Sequence, residues 1–258
     1  MECKNCLNQL ANNQKFCSEC GGKVILERIT FKSIFNEILD KFFNIDNKFY
    51  QTFLTLLKQP QEVVGGYIDG KRSKYFNPIS YFAFSLTLSG IYFYLMQKGF
   101  IDYNVAMNSM QNAYETEMQK EIATKINKFV LEYSNVITIL FIPIYVLFTK
   151  ILFSKAKSYN WAEHFIVNIY LYSEASIITT LLLLLSVINT KILMTMSMLS
   201  FLLQFIYFVY SLKKVFDLSW KSIMVRIILF FGLLFLLLIF IFILGIAFGY
   251  YLKKNNLI

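Results

Sequence analysis

The sequence predicts an all-α integral membrane protein: about five transmembrane helices, amphipathic helices along the cytosolic interface, and a small N-terminal cysteine module. Three observations predict it. Of 258 residues, 57% are hydrophobic and only 16% are charged, whereas a soluble domain carries roughly 25% charged residues. The later part of the chain is a series of apolar runs near the roughly 20 residues that a spanning helix needs. All four cysteines lie between Cys3 and Cys20, as two CxxC pairs.

The cysteines come first in the chain. Cys3-x2-Cys6 and Cys17-x2-Cys20, with Gly21 and Gly22 behind, offer four thiolates to one tetrahedral ion, and a donor set of this kind suits structural zinc. The spacing between the pairs is shorter than the common 15–20 residues, so residues 1–25 are expected to form a small zinc ribbon. Two disulfides are the competing reading, disfavoured if this end lies in a reducing cytosol. Four cysteines leave no open coordination position, so the site reads as structural. Between Met1 and Lys23 only Lys4, Lys15 and Lys23 face Glu2 and Glu19. That is no basic patch, and nucleic acid is disfavoured as a partner.

Residues 26–78 read as amphipathic interfacial helices. Phe31, Ile34, Phe35, Ile38, Leu39 and Phe42 recur at helical spacing. A second helix after Asp46 puts Phe49, Phe53, Leu56 and Leu57 on one side and stops at Pro60. Such helices lie on a bilayer surface or against the bundle. Gly66–Phe82 then leads into the first span. Lys71, Arg72 and Lys74 stand at headgroup level, either as a topogenic anchor or as a contact for anionic lipid. Asn77-Pro78 starts the helix, with proline where a missing N–H costs nothing.

Residues 79–258 form the bundle, with spans expected at about 79–96, 135–153, 165–189, 192–212 and 227–252. The loop 97–134 carries a helical stripe of Met107, Met110, Tyr114, Met118, Ile122, Ile126 and Phe129, expected to pack as a lid on the outer surface. Of the 25 Lys and Arg residues, 18 fall on the side of the N-terminus and 7 on the other. The positive-inside rule therefore places the N-terminus in the cytoplasm. Residues 1–25 lack the pattern of a signal peptide, so the first span is expected to act as its own insertion signal. Gly245-x3-Gly249 in the fifth span is a small-residue motif suited to a homodimer.

The third span is chemically distinct. It holds the single histidine, His164, and the single acid inside a span, Glu174. On a helix Glu163, Tyr170 and Glu174 share one face, while His164 and Asn168 share another. Glu174 lies ten residues past His164, about 15 Å deeper, near the middle of the apolar layer. An intramembrane ionisable group is a functional candidate by default. For Glu174 the competing role is a structural bond to Ser or Tyr on a neighbouring span. Hydroxyl stripes stand ready in the first span (Tyr81, Ser85, Ser89, Tyr92) and the fourth (Ser200, Gln204, Tyr207, Ser211). For Glu163 and His164 the competing role is capping and anchoring the helix.

Gly70-Lys71-Arg72, Tyr75, Asn77-Pro78 and Trp161-Ala162-Glu163-His164, behind a cysteine ribbon, resemble an uncharacterised bacterial inner-membrane family. That family shows a GKR-x2-Y-x-NP motif and an aromatic-Ala-Glu-His motif. The resemblance implies a multi-pass protein of the bacterial cytoplasmic membrane with an N-terminal zinc ribbon, and it implies no reaction. Two functions follow as expectations. One is a membrane-anchored adaptor or sensor whose ribbon docks a cytosolic protein. The alternative is a transporter of a small molecule, ion or lipid that uses Glu174. An enzyme is not expected: HExxH is absent, and there is no second histidine to complete a catalytic metal site.

Overall fold

The computed structural model describes residues 2–3, 6–11, 14, 16–21, 47–101, 116–189 and 192–254. The chain divides into two units, Met1–Asp46 and Asn47–Ile258. In the first, the described residues form two cysteine turns closed by an isolated antiparallel bridge between Glu2 and Gln9, over a core of Cys3, Leu10 and Cys17. The amphipathic stretch from Phe31 to Phe42 lies outside the described residues.

The second unit is helical, with no strand among its described residues. Helix α1 occupies 47–58. It buries Leu56 completely and packs Phe49, Phe53 and Leu57 against the same core, the face that its spacing dictates. Pro60 ends it and also opens α2, Pro60–Ile68, as a first-turn proline. Gly70, at φ +95°, turns the chain out of α2, and Lys71 N–H closes the turn on the Gly66 carbonyl at 2.8 Å. Helix α3, Pro78–Gln97, starts as Asn77-Pro78 predicts. The Asn77 side chain accepts from Ile79 N at 2.9 Å and Ser80 N at 3.3 Å, which satisfies two donors that a helix start leaves open.

Helix α4, Glu117–Glu132, corrects an expectation. Its stripe of Met118, Ile122, Ile126 and Phe129 is exposed, and α4 buries no residue, so it is not a packed lid. The helix is supported locally instead. Thr116 and Gln119 form a reciprocal capping box, and Lys120–Glu117 and Lys125–Glu121 pair at 2.7 Å along the polar face. Local terms of this sort stabilise a helix without burial, and they leave its apolar face for an apolar medium. Met107, Met110 and Tyr114 lie outside the described residues.

Then follow α5, Ser134–Phe153; α6, Trp161–Leu184, continued by a 3-10 turn to Val187; α7, Leu193–Val215; and α8, Trp220–Lys254. By length and composition α3, α5, α6 with its 3-10 turn, and α7 are long and apolar enough to cross a membrane. The chain is a multi-pass membrane protein on that basis. The fifth expected span falls within the 35-residue α8, and the side chains around Gly245 and Gly249 lie outside the described residues.

Helix α6 is the axis. It packs against α2, α3, α5 and α7, and 61% of its spanning window is buried, against 17–28% for the other three. Its hydroxyls bond back to their own helix, Ser173 to the Ile169 carbonyl at 2.7 Å and Thr179 to Ala175 at 2.9 Å. Small, self-satisfied residues let neighbours approach closely. Between α3 and α5 the approach is closer still: a Cβ on Gly90 would stand 3.0 Å from Asn135 Nδ2. Two cations tie helix ends together. Lys157 donates to the Val215 carbonyl that ends α7 at 2.7 Å, and Arg226 to Leu152 near the end of α5 at 2.9 Å, where a helix presents unpaired carbonyls and negative charge.

The two glycines of the α2 region should respond oppositely to alanine. A Cβ on Gly65 meets nothing within 4 Å, so Gly65→Ala should stabilise by up to about 1 kcal/mol through helix propensity. Gly70→Ala should destabilise by about 1–2 kcal/mol because of its positive φ. Thermal unfolding of the two variants in one detergent checks both signs.

Candidate functional site

The four cysteine sulfurs converge. All lie within 4.8 Å of one another. Cys3 and Cys20 sulfurs are 3.7 Å apart and Cys6 and Cys17 sulfurs 3.5 Å apart. Metal–sulfur bonds of about 2.3 Å in a tetrahedron put sulfurs about 3.8 Å apart, so the set fits one metal ion. The sulfurs stand as thiols rather than disulfides, whose bonded separation is about 2.05 Å. Each CxxC is closed by the same device: the residue after the second cysteine takes a positive φ, +61° at Leu7 and +66° at Gly21. Only the second turn has glycine at that position. The Asn8 backbone hydrogen bond, the strongest single influence on Cys6, pulls its thiol down. Hydrogen bonds to Cys20, Cys17 and Cys3, with some loss of water, outweigh it and push the thiol up to about 12. A cation must displace that proton, so metal uptake releases protons and strengthens as pH rises.

In the bundle, the four polar residues singled out on α6 separate to three places. Glu163 caps its own helix. Its backbone N–H donates to Asn160 Oδ1 at 2.9 Å, and its carboxylate accepts from Asn160 N at 2.7 Å. His164 and Asn168, both buried, converge on Thr149 of α5. His164 Nδ1 lies 3.3 Å from Thr149 Oγ1, and Asn168 donates to the same oxygen at 2.8 Å and to the His164 carbonyl at 2.7 Å. The His164 ring stacks on Phe216 with centroids 5.6 Å apart, and its Nε2 has no partner among the described residues.

Glu174 stands apart from both. It is fully buried; the Tyr81 hydroxyl of α3 donates to its Oε2, and Oε1 has no partner among the described residues. Tyr81 belongs to the expected hydroxyl stripe, but the depth of the pair differs from expectation. Tyr170 donates to the Phe76 carbonyl at 2.6 Å, four residues before Glu174 meets Tyr81, so α6 and α3 run in the same sense. Tyr81 is the fourth residue of α3. Measured along α3, the carboxyl lies one turn inside the helix, not at its middle. The first turns of α6 run beside the segment that leads into α3, and counting along α6 alone overstates the depth.

Lys71, Arg72 and Lys74 are exposed on that lead-in. Arg72 lies over the Tyr67 ring at 5.5 Å and Lys74 over Tyr75 at 5.0 Å, and no carboxylate pairs with any of the three among the described residues. Tyr75 beside it, and Glu62 further off, hold the Lys74 ammonium above its ordinary range. The buried parts of the motif serve the backbone. Tyr75 packs on Gly66, and Phe76 N–H donates to Thr52 Oγ1 at 2.8 Å.

Residues 46–90 match a family model described as Protein of unknown function (DUF3667). No curated protein and no solved structure matches the chain. The chain is thus similar to an uncharacterised family over α1, α2, the lead-in and more than half of α3. That segment holds Thr52 and Tyr81 but stops well short of Trp161–His164 and Glu174.

Three functional neighbours escaped the sequence. Thr149 was one hydroxyl among many in a span. Asn135, which accepts from Ser89 at 3.2 Å, was read only as a helix start. Thr52, which accepts from Phe76 N–H, was not singled out. A buried polar residue at the end of an apolar run was the available signal for Thr149.

Two outcomes follow for these sites. Tyr81→Phe leaves both oxygens of Glu174 without a donor and should cost about 1–3 kcal/mol. In a Glu174→Leu background the same change should cost distinctly less, as a double-mutant cycle of melting curves will show. In the ribbon, Leu7→Gly should relieve about 1 kcal/mol of backbone strain without loss of packing, since Leu7 is exposed. The chelator concentration that strips half the metal should rise.

Proposed function

We propose that this chain is a membrane-anchored adaptor or sensor whose N-terminal module, folded on zinc, docks a protein partner in the cytoplasm. The observation that carries it is the make-up of the module. Four sulfurs surround one position and fill a tetrahedral shell, which is the form of a structural rather than a catalytic zinc site. Around that closed centre two apolar side chains face outward: Leu7, 74% exposed, follows Cys6, and Phe16, 59% exposed, precedes Cys17. A module with so small a core gains nothing for its own stability from an exposed phenylalanine. An exposed phenylalanine suits a protein interface. The near balance of Lys and Glu in the module supports a protein partner over nucleic acid.

In this reading α8 supplies a fifth span, the N-terminus lies in the cytoplasm of a bacterial cell, and the bundle sits in its inner membrane. Gly245 and Gly249 are candidate contacts for a second copy. The basic lead-in of Lys71, Arg72 and Lys74 rests against anionic headgroups. A second reading has one observation in its favour. Among the described residues one Glu174 oxygen has no partner, and a transporter could use that oxygen for a proton or cation.

The test compares full-length protein in native-lipid particles with three variants: Cys3→Ser/Cys17→Ser, Leu7→Ser/Phe16→Ser, and Glu174→Gln. Metal analysis should find one zinc per chain in all but the first; iron in its place would overturn the zinc assignment. The adaptor reading expects one co-purifying protein to be lost from both ribbon variants and kept by Glu174→Gln. Equal recovery from all four forms would defeat it. A proton or solute flux abolished only by Glu174→Gln would establish the transport reading.

A further inference from the structure

A cavity of about 380 Å³ opens among α5, α6, α7 and α8, within the range of small-molecule sites. It does not include Glu174. Along α7 its lining runs from Phe201 to Leu212, about 16 Å at 1.5 Å per residue, so it is a slot parallel to the helices. Aromatic rings form about half of its wall, and Phe201 and Phe205 are themselves 71% and 41% exposed. The slot is therefore open on the outer face of the bundle, where lipid chains lie.

Four polar side chains besides Tyr145 line the slot. Thr149 and Asn168 bond each other, and the Gln204 amide in the middle of α7 has no hydrogen-bond partner among the described residues. Arg226 lines the other end, level with Leu152 and Leu212. Its Nε bonds the Leu152 carbonyl and its Nη1 bonds Ser222. Its Nη2 is unused and no carboxylate pairs with it among the described residues. An unneutralised guanidinium at the mouth of an apolar slot is complementary to one chemistry: an anionic headgroup with a hydrocarbon tail.

We infer that the slot binds an anionic amphiphile, with a phosphate or carboxylate on Arg226 and one acyl chain lying along α7 past Gln204. The site is separate from the exposed lysines of the lead-in. It is also independent of the ribbon, so it stands whether or not the ribbon recruits a partner.

Native mass spectrometry of the full chain, released from lipid nanodiscs, tests this. The probes are phosphatidylglycerol, phosphatidylcholine and oleate. Wild-type protein should retain one phosphatidylglycerol or oleate with at least tenfold preference over phosphatidylcholine. Retention of phosphatidylglycerol alone identifies a two-chain lipid as the source, and retention of oleate alone a free acid. Arg226→Gln should abolish the preference, and Arg226→Lys should keep most of it. Because Arg226 also holds the end of α5, Val209→Phe is read beside it. That variant fills the slot, leaves the Arg226 bonds in place, and should lose the retained amphiphile at least tenfold. Changing Lys71, Arg72 and Lys74 together to Gln should leave retention unchanged. Equal retention of anionic and zwitterionic lipid by the wild type would overturn the proposal. So would unchanged retention in both Arg226→Gln and Val209→Phe.

Discussion

Helix α6 is the most enclosed of the spanning helices, with 61% of its window buried. In an apolar medium each polar group must find its partner inside the fold. That constraint organises the second unit. Asn168 and His164 use the Thr149 hydroxyl of α5, Tyr170 uses a carbonyl of the lead-in, and Glu174 uses Tyr81 of α3. The three partners sit on three different elements. A shift of α6 by one residue turns its side chains by about 100° and would break all of these bonds at once. Apolar packing alone leaves helix rotation weakly specified in lipid, because a leucine fits a lipid tail as well as it fits a neighbour. The polar residues set the register that the hydrophobic ones cannot.

How much of this was legible depends on whether the cause is local. The spans could be read because a bilayer imposes a length. The start of α3 could be read because Asn77-Pro78 is a complete local instruction. The convergence of the four cysteines could be read because the paired CxxC spacing carries it. The conformation of Leu7 could not, since leucine gives no hint of a positive φ. Tyr81 was visible as a candidate partner for Glu174, but the level of the pair was not. Depth depends on where α6 starts relative to α3, and that is decided by packing against α1 and α2. The stripe on α4 was plain, yet amphipathicity states only that one side needs an apolar medium, and it does not say which.

The cations share a logic that composition alone conceals. Lys157 and Arg226 each hold a carbonyl near the end of a neighbouring helix, and Lys150 holds the Tyr159 carbonyl at 2.5 Å just before α6 begins. Part of the basic excess therefore closes helix ends on the side of the lead-in, beyond any role in setting topology. Arg226 differs from the two lysines in its planar fork, which bonds the Leu152 carbonyl through Nε and Ser222 through Nη1 at once.

The lead-in is fastened from a distance. Phe76 receives a bond from Tyr170, Leu56 one from Tyr207 at 3.4 Å, and Lys58 one from Tyr210 at 2.5 Å. These partners are 94, 151 and 152 residues further along the chain. Synthesis is vectorial, so α1 and α2 leave the ribosome long before the helices that hold them exist. The bonds from Tyr207 and Tyr210 to α1 therefore cannot form until α7 has been made, so the clasp on the earliest helix of this unit closes only after three later spans have followed it.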